Sequence, residues 1–359
     1  MAASPDGAGP RPPSYAALDE ALEQLAGLGP DLANGLTSHA PMAVEALCAM
    51  GRPDAVAPWL AIYRSRMLPR PAARERLDAS RWREALGRPE RFAEWSELFR
   101  TELREAPWRE VLRGWMPRLA PGLCGSATHG VLRVGHAVRG LGAGESPPRL
   151  HELADALGYM AANPQELPAA AGSADAGLSA ADAIRRVAVV PADQRRFDGT
   201  ITFSLEALGD FPAFAPVIGL LDVRGDANAL VSDLTETFAR VYLANAHDLL
   251  SAIVFIHGVT SAATLRNLLP LLDAETGRHA LRFTWQAGCG LYAAFGRRPS
   301  AAAPPPSQEG PEALVERAIA HGDEHAIKFT EACLREHAIN PKPVYLAAAR
   351  DASGRLDRR

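Results

Sequence analysis

The segment His321-Gly322-Asp323-Glu324-His325-Ala326-Ile327-Lys328 holds the densest group of side chains that could do chemistry. On one helix, His321, His325 and Lys328 would follow the spacing i, i+4 and i+7, which places two imidazoles and an amine in a single stripe. Two histidines at i and i+4 can chelate a metal ion. The glutamate directly precedes the second histidine, however, so the segment is not the HExxH motif of zinc metalloproteases. A solvated helix face is the alternative interpretation.

Lysine is rare in this chain. Of its 38 lysines and arginines, only Lys328 and Lys342 are lysines. Arginine keeps its proton in proteins, whereas a buried lysine can become a neutral amine. Such an amine acts as a base or nucleophile, or takes up carbon dioxide to form a carbamate, which is an anionic oxygen ligand. A lysine one turn from His325 therefore favours a role for the amine itself.

His39 and His129 have surroundings that suit a metal ligand. Pro41 is tolerated in the first turn of a helix and Ser38 can cap it, so His39 is predicted at a helix N-terminus, where the partial positive charge favours a neutral imidazole. His129 lies among glycines that recur every five residues, at 125, 130, 135 and 140. This frequency indicates that another backbone or a ligand approaches closely.

His136 would share a helix face with His129, but it lies about 10 Å further along the axis, too far to bind the same ion. His136 and Arg133 are therefore interpreted as groups that line a pocket, or as packing and salt-bridge residues. The sequence His257-Gly258-Val259-Thr260 follows an apolar run, and it predicts a helix break that turns His257 inward. His247 is an alternative candidate for a metal ligand. Each of these histidines taken alone could be a surface or hydrogen-bonded imidazole.

Composition excludes several classes of protein. The 359 residues include 42 acidic and 38 basic side chains without a dense basic run, so binding to nucleic acid is not expected. The cysteines at 48, 124, 289 and 333 form no CxxC pair and are interpreted as reduced, buried thiols. The apolar stretch Leu249 to Ile256 is too short to cross a bilayer, and the N-terminus does not resemble a signal peptide. We expect a cytoplasmic protein with no membrane partner.

Hydrophobic periodicity predicts an all-α fold. Leu18, Leu22, Leu25 and Leu28 recur at helical spacing after Ser14, a good N-cap. Similar periodicity appears at 54–67, 107–119, 228–248, 260–272 and 309–336. Only Ile201 to Leu205 and Arg186 to Val190 resemble strands, and the absence of a repeat of 30 to 45 residues argues against a solenoid.

The candidate ligands lie on both sides of two loop-like stretches, 161–180 and 296–310. We therefore predict one large helical domain at 14–351, whose core is assembled from N-terminal and C-terminal helices together. Residues 1–13 are predicted to be a disordered lead, residues 352–359 a disordered tail, and both loops candidates for disorder.

Four motifs together resemble the questin oxidase-like family in order and approximate spacing. They are Ser38-His39-Ala40-Pro41-Met42, Thr128-His129-Gly130-Val131-Leu132-Arg133, His257-Gly258-Val259-Thr260 and Asp323-Glu324-His325-Ala326-Ile327-Lys328. The resemblance covers about residues 15 to 350. It implies a non-haem iron protein in which His39, His129, His257 and His325 are imidazole ligands and Lys328 is a carbamate ligand.

The family includes fungal enzymes that open the central ring of anthraquinones with molecular oxygen. The resemblance therefore implies an oxygenase that acts on a small aromatic or quinone-type molecule, with Fe(II) as cofactor. Imidazoles and an oxygen anion suit ferrous iron. No strand-GxGxxG-helix unit for a flavin is present, because Gly140-Leu141-Gly142-Ala143-Gly144 follows a predicted helix.

Trp285, with Tyr292 and Phe295, could line a flat apolar pocket, although core packing is the simpler interpretation. Two other functions stay open at this point. One is a hydrolase with zinc or a similar redox-inert metal, in which Lys328 or Glu324 serves as base. The other is a catalytically silent helical protein that binds a hydrophobic metabolite and uses its histidines for structure.

Overall fold

The computed structural model describes residues 11–170, 176–300 and 309–356. Helices dominate, which confirms the all-α prediction. They are α1 (Leu18–Leu25), α2 (Ala40–Ala49), α3 (Val56–Tyr63), α4 (Phe92–Glu105), α5 (Trp108–Leu119), α6 (His129–Ala143), α7 (Pro147–Ala162), α8 (Ala180–Ala183), α9 (Ile201–Glu206), α10 (Ala227–Asn245), α11 (Leu249–Leu268), α12 (Ala274–Phe295), α13 (Pro311–His321), α14 (Glu324–Ile339) and α15 (Pro343–Arg355). Short 3-10 turns join several of them.

Both strand predictions were wrong. Residues Ile201 to Leu205 lie in α9, whose first turn is capped by the Thr200 hydroxyl, and Arg186 to Val190 begin at the end of a 3-10 turn. The strands of the described structure are β1 (Leu28–Leu32) and β2 (Met67–Pro69), which pair antiparallel. Leu28 therefore opens a strand instead of closing α1. The Thr200 hydroxyl favours the helix at α9, and pairing with the distant β2 extends the chain at Leu28. Hydrophobic spacing does not report such partners.

Two clusters of buried apolar side chains form the core. The larger involves α4 to α7, α10 to α12, α14 and α15. The smaller combines α1, α2 and α3 with Val315 of α13 and Ile327 of α14. The first and last parts of the chain thus share one core, and α14 packs against both α2 and α11. This arrangement brings distant segments of the sequence to one place.

The chain ends differ from the predicted bounds. Helix α15 continues to Arg355, so the predicted start of a disordered tail at residue 352 is wrong. Arg11 and Pro12 pack against Gly51, where a Cβ atom would lie 2.5 Å from the Pro12 carbonyl oxygen. The predicted disorder of residues 1–10 and of the central parts of both loops, 171–175 and 301–308, lies outside the described residues.

The segment Leu249–Leu271, which contains α11, is long and apolar enough to cross a membrane by length and composition. Its most apolar window is 78% buried inside the protein. Such burial is typical of the central helix of a soluble protein, because the apolar surface is already covered by other helices.

A buried ion network ties α2, α6 and α14 together. Arg139 of α6 donates to both oxygens of Glu45 in α2, at 2.7 and 2.6 Å, and also to Glu331 of α14. His136 Nδ1 lies 2.6 Å from Glu45. These side chains are almost fully shielded from solvent, so each carboxylate depends on its partners for the solvation that water would otherwise supply.

This network generates a prediction about acid stability. Burial raises the pKa of Glu45, but Arg139 and His136 outweigh it and lower the pKa from 4.5 to about 2. The stabilisation is therefore complete above the unfolded value and is lost as the pH falls from near 4.5 towards 2. We expect Glu45→Gln to lower the free energy of unfolding by about 3 kcal/mol at neutral pH and to flatten its decline in acid.

Urea denaturation at several pH values measures both effects. Glu90→Gln, at an exposed position, is the matched control and should change stability by less than about 0.5 kcal/mol. Equal stability of Glu45→Gln and wild type at neutral pH would contradict the prediction.

Candidate metal centre

The imidazoles of His39, His129, His257 and His325 lie against one another in the core. The ring centroid of His39 is 4.4 Å from that of His129 and 4.6 Å from that of His325. His257 lies 4.8 Å from His129 and 5.8 Å from His325 by the same measure. Each residue is at least nine-tenths buried. The structure thus brings together four side chains that are up to 286 positions apart, from His39 to His325.

Three of the four histidines lie at helix N-termini. His39 is the N-cap of α2, His129 begins α6, and His325 is in the first turn of α14. The partial positive charge of a helix N-terminus disfavours an imidazolium ion and attracts anions. His257 differs, since it lies within α11. The converging helix ends therefore favour neutral rings and an anionic group nearby.

Hydrogen bonds to Nδ1 orient three of the rings. His257 Nδ1 lies 2.7 Å from the Ile253 carbonyl oxygen, His129 Nδ1 bonds the Ser126 carbonyl oxygen, and His325 Nδ1 lies 3.1 Å from Asp323. A donor bond at Nδ1 leaves Nε2 with its lone pair free, as in histidines that ligate metals.

The Nε2 atoms of His129 and His257 face each other at 3.3 Å. Two nitrogens that each lie about 2.0 to 2.1 Å from one metal ion are about 2.8 to 3.0 Å apart at an octahedral angle and about 3.3 to 3.4 Å apart at a tetrahedral one. His39 Nδ1 is buried and has no hydrogen-bond partner among the described residues. An orphaned buried nitrogen is costly, so these donors fit a bound cation.

The surroundings of His39, His129 and His257 keep these three imidazoles neutral. Burial lowers the pKa of His39 and of His129 well below 6.5, and nearby positive groups lower both further. Burial, with His325 and Lys328, lowers the pKa of His257 to about 3. Neutral imidazole is the form that binds a transition metal, so little proton release is needed on metal binding.

Lys328 lies beside the imidazoles. It is 3% exposed, and its positive charge contributes to the lowered pKa of His39, His129 and His257. Burial lowers its own pKa to about 8, although Glu324 and Asp323 oppose the shift. Its amine makes no hydrogen bond or close ion pair with any described residue. A pKa of about 8 leaves the amine mainly protonated at neutral pH, with a minor neutral fraction that can take up carbon dioxide.

Glu324 is a site residue whose ligand role sequence analysis missed. Its carboxylate can come within 4.8 Å of ligand atoms of both His39 and His325, and the three residues are buried. The sequence offered Glu324 only as a base. The available signal was its position directly before His325, at the start of α14 behind the Asp323 cap. Two histidines and one carboxylate are also a ligand set of non-haem iron oxygenases.

The backbone before His129 is strained. Ser126, Ala127 and Thr128 all have left-handed dihedral angles, with φ of 48°, 54° and 70°. Left-handed backbone costs a non-glycine residue about 1 to 2 kcal/mol, most of all a β-branched one. Tight packing holds the neighbouring chain in place, because a Cβ on Gly125 would lie 1.7 Å from the Asn163 carbonyl oxygen. Strain of this kind is typical of functional sites.

The prediction that another backbone or a ligand approaches the glycines of α6 closely is confirmed. A Cβ atom on Gly130 would lie 2.9 Å from the Met160 backbone, and one on Gly135 would lie 2.2 Å from the Thr264 side chain. The close approach that the glycines permit is that of α7 and α11 to α6. Helix α6 can therefore place His129 directly beside His257 of α11.

Two predictions about the local backbone were wrong. Helix α11 runs through His257, Gly258 and Thr260 without a break, because the Thr260 hydroxyl bonds the Ile256 carbonyl oxygen inside the helix at 2.9 Å. His321 and His325 do not share a helix. Gly322 adopts φ of 80° and ends α13, which separates the two residues.

The remaining candidates lie outside the cluster. His321 Nε2 bonds the Leu356 carbonyl oxygen at 3.0 Å, and His247 has a half-exposed side chain between α10 and α11. His136 bonds Glu45 and Arg133 pairs with Glu152, which agrees with the salt-bridge interpretation. Trp285 is fully buried in the core, and its Nε1 donates to the Val217 carbonyl oxygen.

No protein-family model matches the chain, and none of the curated proteins is significantly similar to it.

The left-handed segment generates a prediction. Thr128 combines positive φ with a buried hydroxyl that has no hydrogen-bond partner among the described residues. Thr128→Gly removes both penalties, and we expect it to raise the free energy of unfolding by about 1 kcal/mol. Because glycine also loosens the placement of His129, metal affinity should fall several-fold. Thermal unfolding and metal titration measure the two effects, and a variant that is less stable than wild type would contradict the prediction.

Proposed function

We propose that the protein is a metal-dependent oxygenase, with non-haem iron as its metal, that oxidises a polycyclic aromatic or quinone-type metabolite. The observation that carries the proposal is the convergence of four buried imidazoles beside a buried lysine amine. A structural role explains one buried histidine easily. It does not explain four imidazoles beside an amine, with burial and the neighbouring positive groups lowering the pKa of His39, His129 and His257.

In this proposal His39, His129, His257 and His325 hold the metal. An anionic oxygen ligand comes from Lys328 as its carbamate. Bound iron would supply the electrons that let dioxygen react with an aromatic ring, for ring cleavage or a Baeyer-Villiger-type insertion. The resemblance of four ordered motifs to the questin oxidase-like family supports the same conclusion.

Other residues orient the imidazoles and shield them from water. The carbonyl oxygens of Ile253 and Ser126 and the Asp323 carboxylate hold the ring protons at Nδ1 of their histidines, so that Nε2 faces the centre. The apolar helices around the cluster exclude bulk water, which strengthens electrostatic interactions inside it. The burial of most of α11 inside the protein fits a cytoplasmic location.

Elemental analysis tests the metal. We expect protein purified without chelator to contain about one iron per chain, and His325→Ala to contain none, because one imidazole contributes strongly to a four-histidine site. His247→Ala is the matched control, since His247 lies outside the cluster and should leave the iron content unchanged. A folded wild-type protein without metal would overturn the proposal and favour a silent binding protein.

Lys328→Arg tests the carbamate. Arginine keeps the positive charge but cannot form a carbamate, so we expect loss of metal binding and of activity. Bicarbonate should raise metal uptake by wild-type apoprotein and have no effect on the variant. A carbamate signal after incubation with carbon-13 bicarbonate provides a direct spectroscopic measurement. Wild-type metal occupancy in Lys328→Arg would exclude Lys328 as a ligand and leave Glu324 as the anionic one.

Oxygen consumption tests the reaction class. Iron-loaded protein is mixed with a panel of hydroxylated anthraquinones in an oxygen electrode, with and without NADPH. Insertion of both oxygen atoms into the substrate needs no added reductant, whereas insertion of one atom needs two external electrons to reduce the other to water. Consumption that depends on substrate, and that His325→Ala abolishes, is the expected result.

A zinc hydrolase is the second candidate, because His39, His325 and Glu324 are also a donor set of catalytic zinc sites. Stoichiometric zinc, together with no oxygen consumption after iron loading, would favour it. In that case Glu324→Gln should lower metal affinity more than Lys328→Arg does.

A further inference from the structure

A cleft leads from the surface to the helices that carry two of the metal ligands. It lies between α1 and the β1–β2 hairpin on one side and α4 and α7 on the other, and we name it the α1–α7 cleft. Its empty volume is about 740 Å³, which includes its open mouth. Because the cleft is open to solvent, this volume is an upper bound on the space for a bound molecule.

The inner wall of the α1–α7 cleft is next to the metal centre. Ser38 and Pro41 line it, and they flank His39 in the chain. Arg133 also lines it and follows His129 by one helical turn, about 6 Å along the axis of α6. A molecule in the cleft would therefore lie against the two helix ends that present His39 and His129.

The lining is mainly apolar, and its charged side chains are Glu23, Arg100, Arg133, Glu152 and Asp155. The apolar lining includes Leu22, Leu25, Leu28, Pro41, Met67, Pro147 and Pro148. Arg133 is 7% exposed and donates from Nε and Nη2 to Glu152, at 2.6 and 2.8 Å. Its Nη1 makes no hydrogen bond with any described residue. A guanidinium nitrogen that lines a cleft and has no protein partner is a donor that fits an acceptor on a ligand.

The free Nη1 of Arg133 limits which kinds of ligand group can bind in the cleft. A carboxylate or phosphate prefers two parallel bonds from one guanidinium, but Arg133 already commits such a pair of bonds to Glu152. One remaining nitrogen suits a single oxygen, such as that of a phenol, a phenolate or a carbonyl. The apolar walls favour hydrocarbon rings.

We propose that the α1–α7 cleft binds the organic substrate of the metal centre, and that this substrate is an apolar aromatic molecule with an oxygen acceptor that bonds Arg133 Nη1. The proposal rests on the proposed function for the identity of the reaction, but the binding it describes does not require the metal. Arg133 thus orients the substrate, and the ring carbon near the bonded oxygen lies towards His129.

Calorimetric titration with naphthol and naphthylamine tests the cleft. The two probes have the same shape, and only naphthol carries an oxygen acceptor. We expect wild type to bind naphthol about tenfold more tightly, because a hydrogen bond to a charged donor is worth about 1.5 kcal/mol or more. Absence of binding by either probe at millimolar concentration, or equal affinity for both, would overturn the proposal.

Two variants locate the binding. Ala26→Trp fills the cleft mouth from an exposed position and should weaken both probes at least tenfold. Ala73→Trp is the matched control, because Ala73 is exposed and lines a separate groove beside α4. It should leave affinity unchanged. Equal affinity of Ala26→Trp and wild type would show that the cleft is not the site.

The double variant Arg133→Met/Glu152→Met tests the donor. It removes both charges of the buried pair, so no lone carboxylate is left behind to destabilise the fold. We expect the preference for naphthol to disappear while naphthylamine still binds, and a retained preference would exclude Arg133. Iron content is measured in every variant. Wild-type protein that binds the probes but contains no iron overturns the oxygenase, whereas intact iron with unaltered probe binding in Ala26→Trp overturns only the cleft.

Discussion

Burial of four imidazoles and an amine in mutual contact is the constraint on which the rest of the structure depends. Each protonated ring would repel the others in a region that water does not reach. The cluster is therefore stable with neutral rings, or with a cation and an anion held among them. The convergence of the N-termini of α2, α6 and α14 acts in the same direction, since all three place positive partial charge beside the rings.

A second set of contacts, about two helical turns away from the imidazoles, also holds α2, α6 and α14 together. Arg139 links Glu45 of α2 to Glu331 of α14, and it lies on α6. An ion network of this kind has directional bonds, so it specifies how the helices are rotated more closely than apolar packing does. The four-imidazole cluster and the ion network are thus two layers of one helix bundle, and the second restrains the geometry of the first. The strained turn at residues 126–128 is affordable only within such a rigid frame.

Several features of the fold were beyond what sequence patterns report. The apolar residues of Ile201 to Leu205 suit a strand by type, but the Thr200 cap and the neighbouring helices decide for α9. Gly258 and Thr260 are signals of a helix end, yet α11 continues because neighbouring helices cover it on most of its surface and the Thr260 hydroxyl satisfies a carbonyl oxygen within the helix. At Gly322, by contrast, the helix does end, because the left-handed conformation of this residue terminates α13 and separates His321 from His325. In each case the local residue types allowed either a continuous helix or a break. Packing against distant elements decided which of the two forms.

The sequence by itself determined the helical class, through the spacing of its apolar residues, and it singled out His39, His129, His257, His325 and Lys328 through local context and the resemblance of their motifs. It could not determine that these side chains meet, because no local pattern records the distance between residues that are hundreds of positions apart. Tertiary structure alone decided that Glu324 joins them, that His247 and His321 do not, and that Arg133 faces a cleft beside them. The physical reason is that a ligand set is defined by where helix ends converge, and convergence is set by the packing of the whole core.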